Sequence, residues 1–197
     1  MIHSKLNYPN LIQRVGLSIH YQGGIDRIEL IPKLEDELAD IAESMGWGSQ
    51  RINDDEADPD FRGIIVNPKG DCEALCFIFD RRGRLRNIVD LITNQVEPTE
   101  YSEYCATKTQ FASVETHIWI VGLLRYLKKH YLSDLIVNDE GEFWETESRE
   151  TLIEKKNFLQ KMINQLADSL ESTEFDGDTQ SIEDIVAHIE KIARDLD

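Results

Sequence analysis

The chain has 197 residues, enough for one self-sufficient core, and its 41% hydrophobic and 30% charged content is that of a globular rather than a disordered protein. Asp and Glu outnumber Lys and Arg by 38 to 21, a formal charge of −17, which repels phosphate backbones and anionic membranes and argues against nucleic acid or a membrane as partner. No run of about 18 apolar residues offers a membrane span, the first residues lack the apolar core of a signal peptide, and three cysteines (Cys72, Cys76, Cys105) are too few for a disulfide scaffold, so a soluble cytoplasmic protein with reduced thiols is expected.

From Leu11 to Tyr21, Val15, Leu17, Ile19 and Tyr21 alternate with Gly16, Ser18 and His20, the period of a strand. After the turn signal at Gln22-Gly23-Gly24, Arg27–Ile31 reads as a second short strand stopped by Pro32. Lys33–Met45 reads as a helix with Leu34, Leu38, Ile41 and Met45 on one face, ended by Gly46 and Gly48. Residues 49–60 form a polar connector, and its acidic run Asp54–Asp60 reads as a solvated loop. Gly63–Val66, Glu73–Phe79 and Arg84–Ile92 predict three strands, and the short turns between them require antiparallel pairing in a meander.

Residues 93–112 are polar and irregular. Ser113 is suited to cap a helix running to about Tyr131, whose middle is apolar almost all round and is therefore expected to be buried. Leu135–Val137 and Glu142–Trp144 read as a second hairpin. Leu152, Lys156, Leu159, Ile163, Leu166 and Leu170, and then Ile182, Ile185, Ile189, Ile192 and Leu196, recur at heptad-like spacing and predict two amphipathic helices. The expected architecture is one α+β domain over residues 1–197. In it an antiparallel β-meander packs against a buried central helix (1–147), and a C-terminal helical pair (148–197) packs on that core or on a second subunit as a homodimer.

Catalytic signatures are missing: there is no Gly-x-x-x-x-Gly-Lys-Ser/Thr loop, no Gly-x-Ser-x-Gly elbow and no His-Glu-x-x-His. Cys72 and Cys76, four residues apart on an extended segment, are separated by about 13 Å, too far to share one zinc. His117 has no metal-ligating neighbour at helical spacing, and for His130 Asp134 falls beyond the expected helix end, so both read as hydrogen-bonded structural histidines. Asp176-Gly177-Asp178 matches a calcium loop only in part, since Ser172 and Glu174 fall on its first ligand positions. Neither a metal nor a cofactor is expected.

The feature that departs from this acidic composition is basic. Arg81, Arg82, Arg84 and Arg86 lie within six residues at a hairpin tip and the strand that follows. Guanidinium forks suit carboxylates and phosphates. Lys108, between Thr107 and Thr109 ahead of a helix N-terminus, is placed to cradle an anion. The candidate ligand-binding residues are therefore Arg82, Arg84, Arg86 and Lys108. The structural alternative is that the arginines pair with the protein's own carboxylates or guard an edge strand. Two functions stay open at this point. One is a non-catalytic acidic binding protein that sequesters a basic protein partner. The other is a small enzyme or sensor that holds a small anionic ligand on the Arg81–Arg86 hairpin.

Overall fold

The computed structural model describes residues 16–52 and 59–172. In chain order the elements are β1 (Ser18–Gln22), a 3-10 turn (Ile28–Leu30), α1 (Ile31–Met45), β2 (Gly48–Ile52), β3 (Phe61–Asn67), β4 (Leu75–Asp80) and β5 (Leu85–Arg86). There follow α2 (Ile88–Thr93), β6 (Cys105–Lys108), α3 (Val114–His130), β7 (Ile136–Asp139), α4 (Phe143–Thr146) and α5 (Arg149–Ser172). The chain divides at Leu152 into Met1–Leu152 and Ile153–Asp197. The first unit holds both sheets and α1 to α4; in the second, residues 153–172 are described and continue α5. The Ile182–Leu196 stripe, and with it the expected helical pair and dimer contact, lies outside the described residues. No helix among those described is long and apolar enough to cross a membrane.

The fold is α+β with two antiparallel sheets. One is the expected meander, in the order β2-β3-β4-β5. Every residue from Leu75 to Phe79 is buried, because both faces of β4 are covered. Leu75, Phe77 and Phe79 join Ile64 and Val66 in the main core, where α1 supplies Ile31, Leu34, Leu38 and Ala42 and α3 supplies Ile120, Val121, Leu124 and Leu127. Cys76 and Ile78 point the other way, into a smaller cluster with Ile52 and Phe61. Gly63 faces Ile78 across the β3–β4 ladder at φ +142°, and a Cβ there would sit 2.0 Å from the Phe77 carbonyl oxygen, so only glycine fits.

The second sheet has the order β6-β1-β7. Period-two alternation turns Ile19 and Tyr21 into the core and leaves Ser18, His20 and Gln22 on the other face. Beyond β1 the chain bridges to the first sheet: Leu85 N–H donates to the Gly23 carbonyl and Ile25 N–H to that of Gly83.

Several local expectations are corrected. Arg27–Ile31 is a 3-10 turn leading into α1 rather than a strand, and Pro32 opens that helix instead of stopping a strand, since a residue without an N–H is tolerated in the first helical turn. Of Arg84–Ile92 only Leu85–Arg86 is strand; the Asn87 side chain then accepts from Asp90 N–H and starts a helix. Strand also occurs where polar connectors were expected, at Gly48–Ile52 and Cys105–Lys108. Glu142–Trp144 contributes to a helical turn, so β7 pairs with β1 and not with a hairpin partner. Ser113 caps α3 as expected, but Trp119 on that helix is 57% exposed, so the helix is buried along one side only.

Candidate functional site

The four arginines of the Arg81–Arg86 segment have different fates. Asp80 Oδ1 accepts from the N–H groups of Arg82 (2.9 Å) and Arg84 (3.0 Å) and so shapes the turn. Arg81 pairs with Asp60 at 2.9 Å. Arg84, half-exposed, donates to Asp134 at 2.6 Å and to Glu103 at 3.0 Å. Arg82 is exposed and forms no ion pair among the described residues.

Arg86 is wholly buried. Its Nε donates to Asp90 Oδ2 at 2.8 Å, one terminal nitrogen to the Val96 carbonyl (3.0 Å) and Asp80 (3.4 Å), and the other to the Gln95 carbonyl (2.7 Å) and Ser102 Oγ (3.5 Å). The guanidinium also lies 5.2 Å from the centre of the Phe61 ring. Five donors thus meet five acceptors, and none is left for a ligand. Lys108 stands apart on β6, where it lines a groove with Gly16, Ser18 and His20 that no arginine of the hairpin reaches. The hairpin arginines and Lys108 therefore do not converge.

What Arg86 does is hold the next stretch of chain. From beneath, it grips the main chain at Gln95 and Val96. Around it, Gln95 N–H donates to the Asp90 carbonyl, Asn87 N–H to that of Ser102, and the Asn87 amide to that of Tyr101 at 2.9 Å. Thr99 N–H bonds Ser102 Oγ at 2.8 Å. The segment after α2 is thus stitched down although nearly every residue from Ile92 to Tyr101 is exposed.

On α2, Asp90 turns inward to Arg86 and Leu91 packs on the smaller core cluster. Ile88, Val89 and Ile92 are left outward, with Ile92 74% exposed. Val96, Tyr101 (68% exposed) and Tyr104 continue the apolar display. Six of the twelve exposed large hydrophobics among the described residues fall between Ile88 and Tyr104. That concentration distinguishes this segment from the scattered apolar exposure of any surface. Between Asn87 and Thr107 the chain carries no Lys or Arg, while Glu97, Glu100 and Glu103 lie among the apolar residues. A hydrogen bond from Tyr101 to Glu100 raises the tyrosine's pKa above its ordinary value, keeping the phenol a donor. Six exposed apolar or aromatic side chains, interspersed with glutamates on a hydrogen-bonded backbone, make this segment the candidate site. The sequence reading missed it because Ile88, Val89 and Ile92 passed for a strand. The usable signal was the basic-free stretch itself, opened by a capping Asn87.

The buried ionisable groups have no access to solvent. His117 Nδ1 is 2.8 Å from Thr109 Oγ1 and its Nε2 is 3.1 Å from Asp139 Oδ2, and all three residues are buried. Asp139 also accepts from the N–H groups of Gly141 (2.8 Å) and Trp144 (3.0 Å). Burial would raise Asp139, but the bond and charge of His117 and the two N–H donors outweigh it and hold the carboxyl below its ordinary range. Burial pushes the Cys76 thiol up to about 11 and that of Cys105 up to about 12, so both stay protonated and unreactive. Among the described residues no three His, Cys, Asp or Glu side chains are grouped to hold a metal.

Comparison with models of protein families, with curated proteins and with solved structures gives no match.

Proposed function

We propose that this chain is a non-catalytic interaction protein that takes a basic protein partner on α2 and the loop from Asn94 to Tyr104. The observation that carries the reading is the cluster of six exposed large hydrophobics held on a stitched backbone among glutamates. The formal charge of −17 would steer a basic partner towards the molecule, and the apolar centre would hold it there. The three free thiols, two of them buried, fit a reducing compartment, and we place the protein in the cytoplasm. The alternative of a small anionic ligand on the Arg81–Arg86 hairpin is weakened by the internal carboxylates that occupy Arg81, Arg84 and Arg86.

Affinity capture with the wild-type chain and with the double variant Ile92→Ser, Tyr101→Ala, each at low and high salt, tests this. Both positions are exposed, so the variant keeps its fold. The expected result is a basic protein retained by the wild type at low salt, reduced at high salt, and lost from the variant. Equal retention by the two chains would place any interaction elsewhere, and a retained partner of acidic character would refute the electrostatic part.

A further inference from the structure

The outward face of the β6-β1-β7 sheet forms a groove of about 480 Å³, within the ~300–1,000 Å³ of small-ligand sites. His20 is at its centre, with Asn138 directly opposite on β7 and Ala106 directly opposite on β6. The methyl group of Ala106 leaves the floor low, between the larger Tyr104 and Lys108. Gln22 is a diagonal neighbour of Asn138 on the same face.

Part of the groove is rigid. Glu140 Oε2 accepts from Ser18 N–H at 2.7 Å, and Oε1 lies 3.4 Å from His20 Nε2, so the carboxylate is fixed and orients the imidazole. The rest is unspent. Among the described residues, His20 Nδ1 and the side-chain amides of Gln22 and Asn138 have no protein partner. A concavity lined by an oriented imidazole and two such amides offers a ligand several hydrogen bonds.

The inventory also defines the ligand's class. Beside the exposed Ile136, two amides, an imidazole, the Ser18 hydroxyl and a carboxylate mix donors and acceptors in nearly equal measure. The Lys108 ammonium and Glu140 carboxylate offset each other, and the −17 field disfavours an anion. Tyr104, 58% exposed, offers one aromatic wall and not the two-sided slot that encloses a planar base. We propose that this groove binds a neutral polyhydroxylated ligand, a mono- or disaccharide. Its hydroxyls would bond Gln22, Asn138, His20 and Glu140, and its C–H face would rest on Tyr104.

Amide-resolved NMR titration of the full chain tests the proposal, with glucose, galactose, N-acetylglucosamine and maltose in one arm and adenosine and inorganic phosphate in the others. At least one saccharide is expected to shift the amides of Ser18, His20, Gln22, Tyr104, Asn138 and Glu140 while those of α2 (Ile88–Thr93) stay still. Asn138→Ala and, separately, Gln22→Ala should each weaken that saccharide about tenfold. Both side chains leave the core face free, and an unchanged spectrum elsewhere verifies the fold. Silence of every saccharide, a response only to adenosine or phosphate, or saccharide shifts that neither variant weakens would each overturn it.

Discussion

Arg84 and Arg86 stand two residues apart, and burial alone separates their energetics. Arg84 pairs with Glu103 and Asp134 at the surface, where solvent screens such pairs to about 0–1 kcal/mol. Arg84→Ala should therefore shift the denaturant midpoint little. Arg86 is fully buried against a buried Asp90, so Arg86→Met leaves one carboxylate uncompensated and two carbonyls, Gln95 and Val96, without their donor. A loss of about 3–5 kcal/mol is expected in urea unfolding, with faster amide exchange from Gln95 to Tyr104. Equal effects of the two substitutions would contradict the assignment of Arg86 as the anchor of the segment from Gln95 to Tyr104. Asp139 gives a pH signature. Its folded-state pKa lies below the unfolded value of ~3.9, so its contribution is complete above that pH and is lost as pH falls through the lowered folded value, where the unfolded chain binds the extra proton. Asp139→Asn should lower stability at neutral pH and flatten the acid limb of the stability curve below pH ~4; an unchanged limb would assign acid sensitivity to other carboxylates.

At the scale of elements, the Tyr21 hydroxyl links the two sheets alongside the backbone bonds of Leu85 to Gly23 and of Ile25 to Gly83. Tyr21 on β1 accepts from Cys76 N–H at 2.9 Å and donates to the Cys76 carbonyl at 3.2 Å. β5 is only two residues long and reaches Ile78 and Phe79, so it leaves that edge of Cys76 without a strand partner, and the phenol takes the place of one. Tyr21→Phe keeps the ring but strands a buried N–H and C=O, and should destabilise by about 1–3 kcal/mol in calorimetry or denaturant unfolding. A neutral substitution would mean that the other bonds and the packing between the sheets suffice without the phenol. This junction also marks how far the sequence could be read. The alternation of Ile19 with Tyr21, the apolar stripe of α1 and the Ser113 cap depend on neighbours a few residues apart, and they were legible. The pairing of Ile19 with Asp139 depends on contacts across much of the chain, and β2 was hidden because Ser49, Gln50 and Arg51 are polar residues on an edge, the first two exposed. The arginine cluster was visible as a cluster, but two acceptors of Arg86 are main-chain carbonyls, which no side-chain pattern reports.

For the whole molecule, the proposed interaction would divide the work of recognition between charge and contact. A net −17 acts over a Debye length of roughly 10 Å at moderate salt and influences encounter, whereas the apolar residues of α2 and its loop act only on contact. The two should therefore separate kinetically. Glu97→Lys with Glu100→Lys removes local negative charge from exposed positions without touching the Arg86 network, so it should slow association several-fold at low salt and leave dissociation nearly unchanged. Ile92→Ser with Tyr101→Ala removes contact area and leaves the field intact, so association should be preserved while dissociation quickens, by about 30-fold if the pair contributes ~2 kcal/mol. Biosensor traces of the captured basic partner at two ionic strengths read both rates. If charge reversal acts on dissociation instead, the glutamates are desolvated contacts within the interface and not its steering margin; if association is indifferent to salt, long-range charge has no part in the encounter.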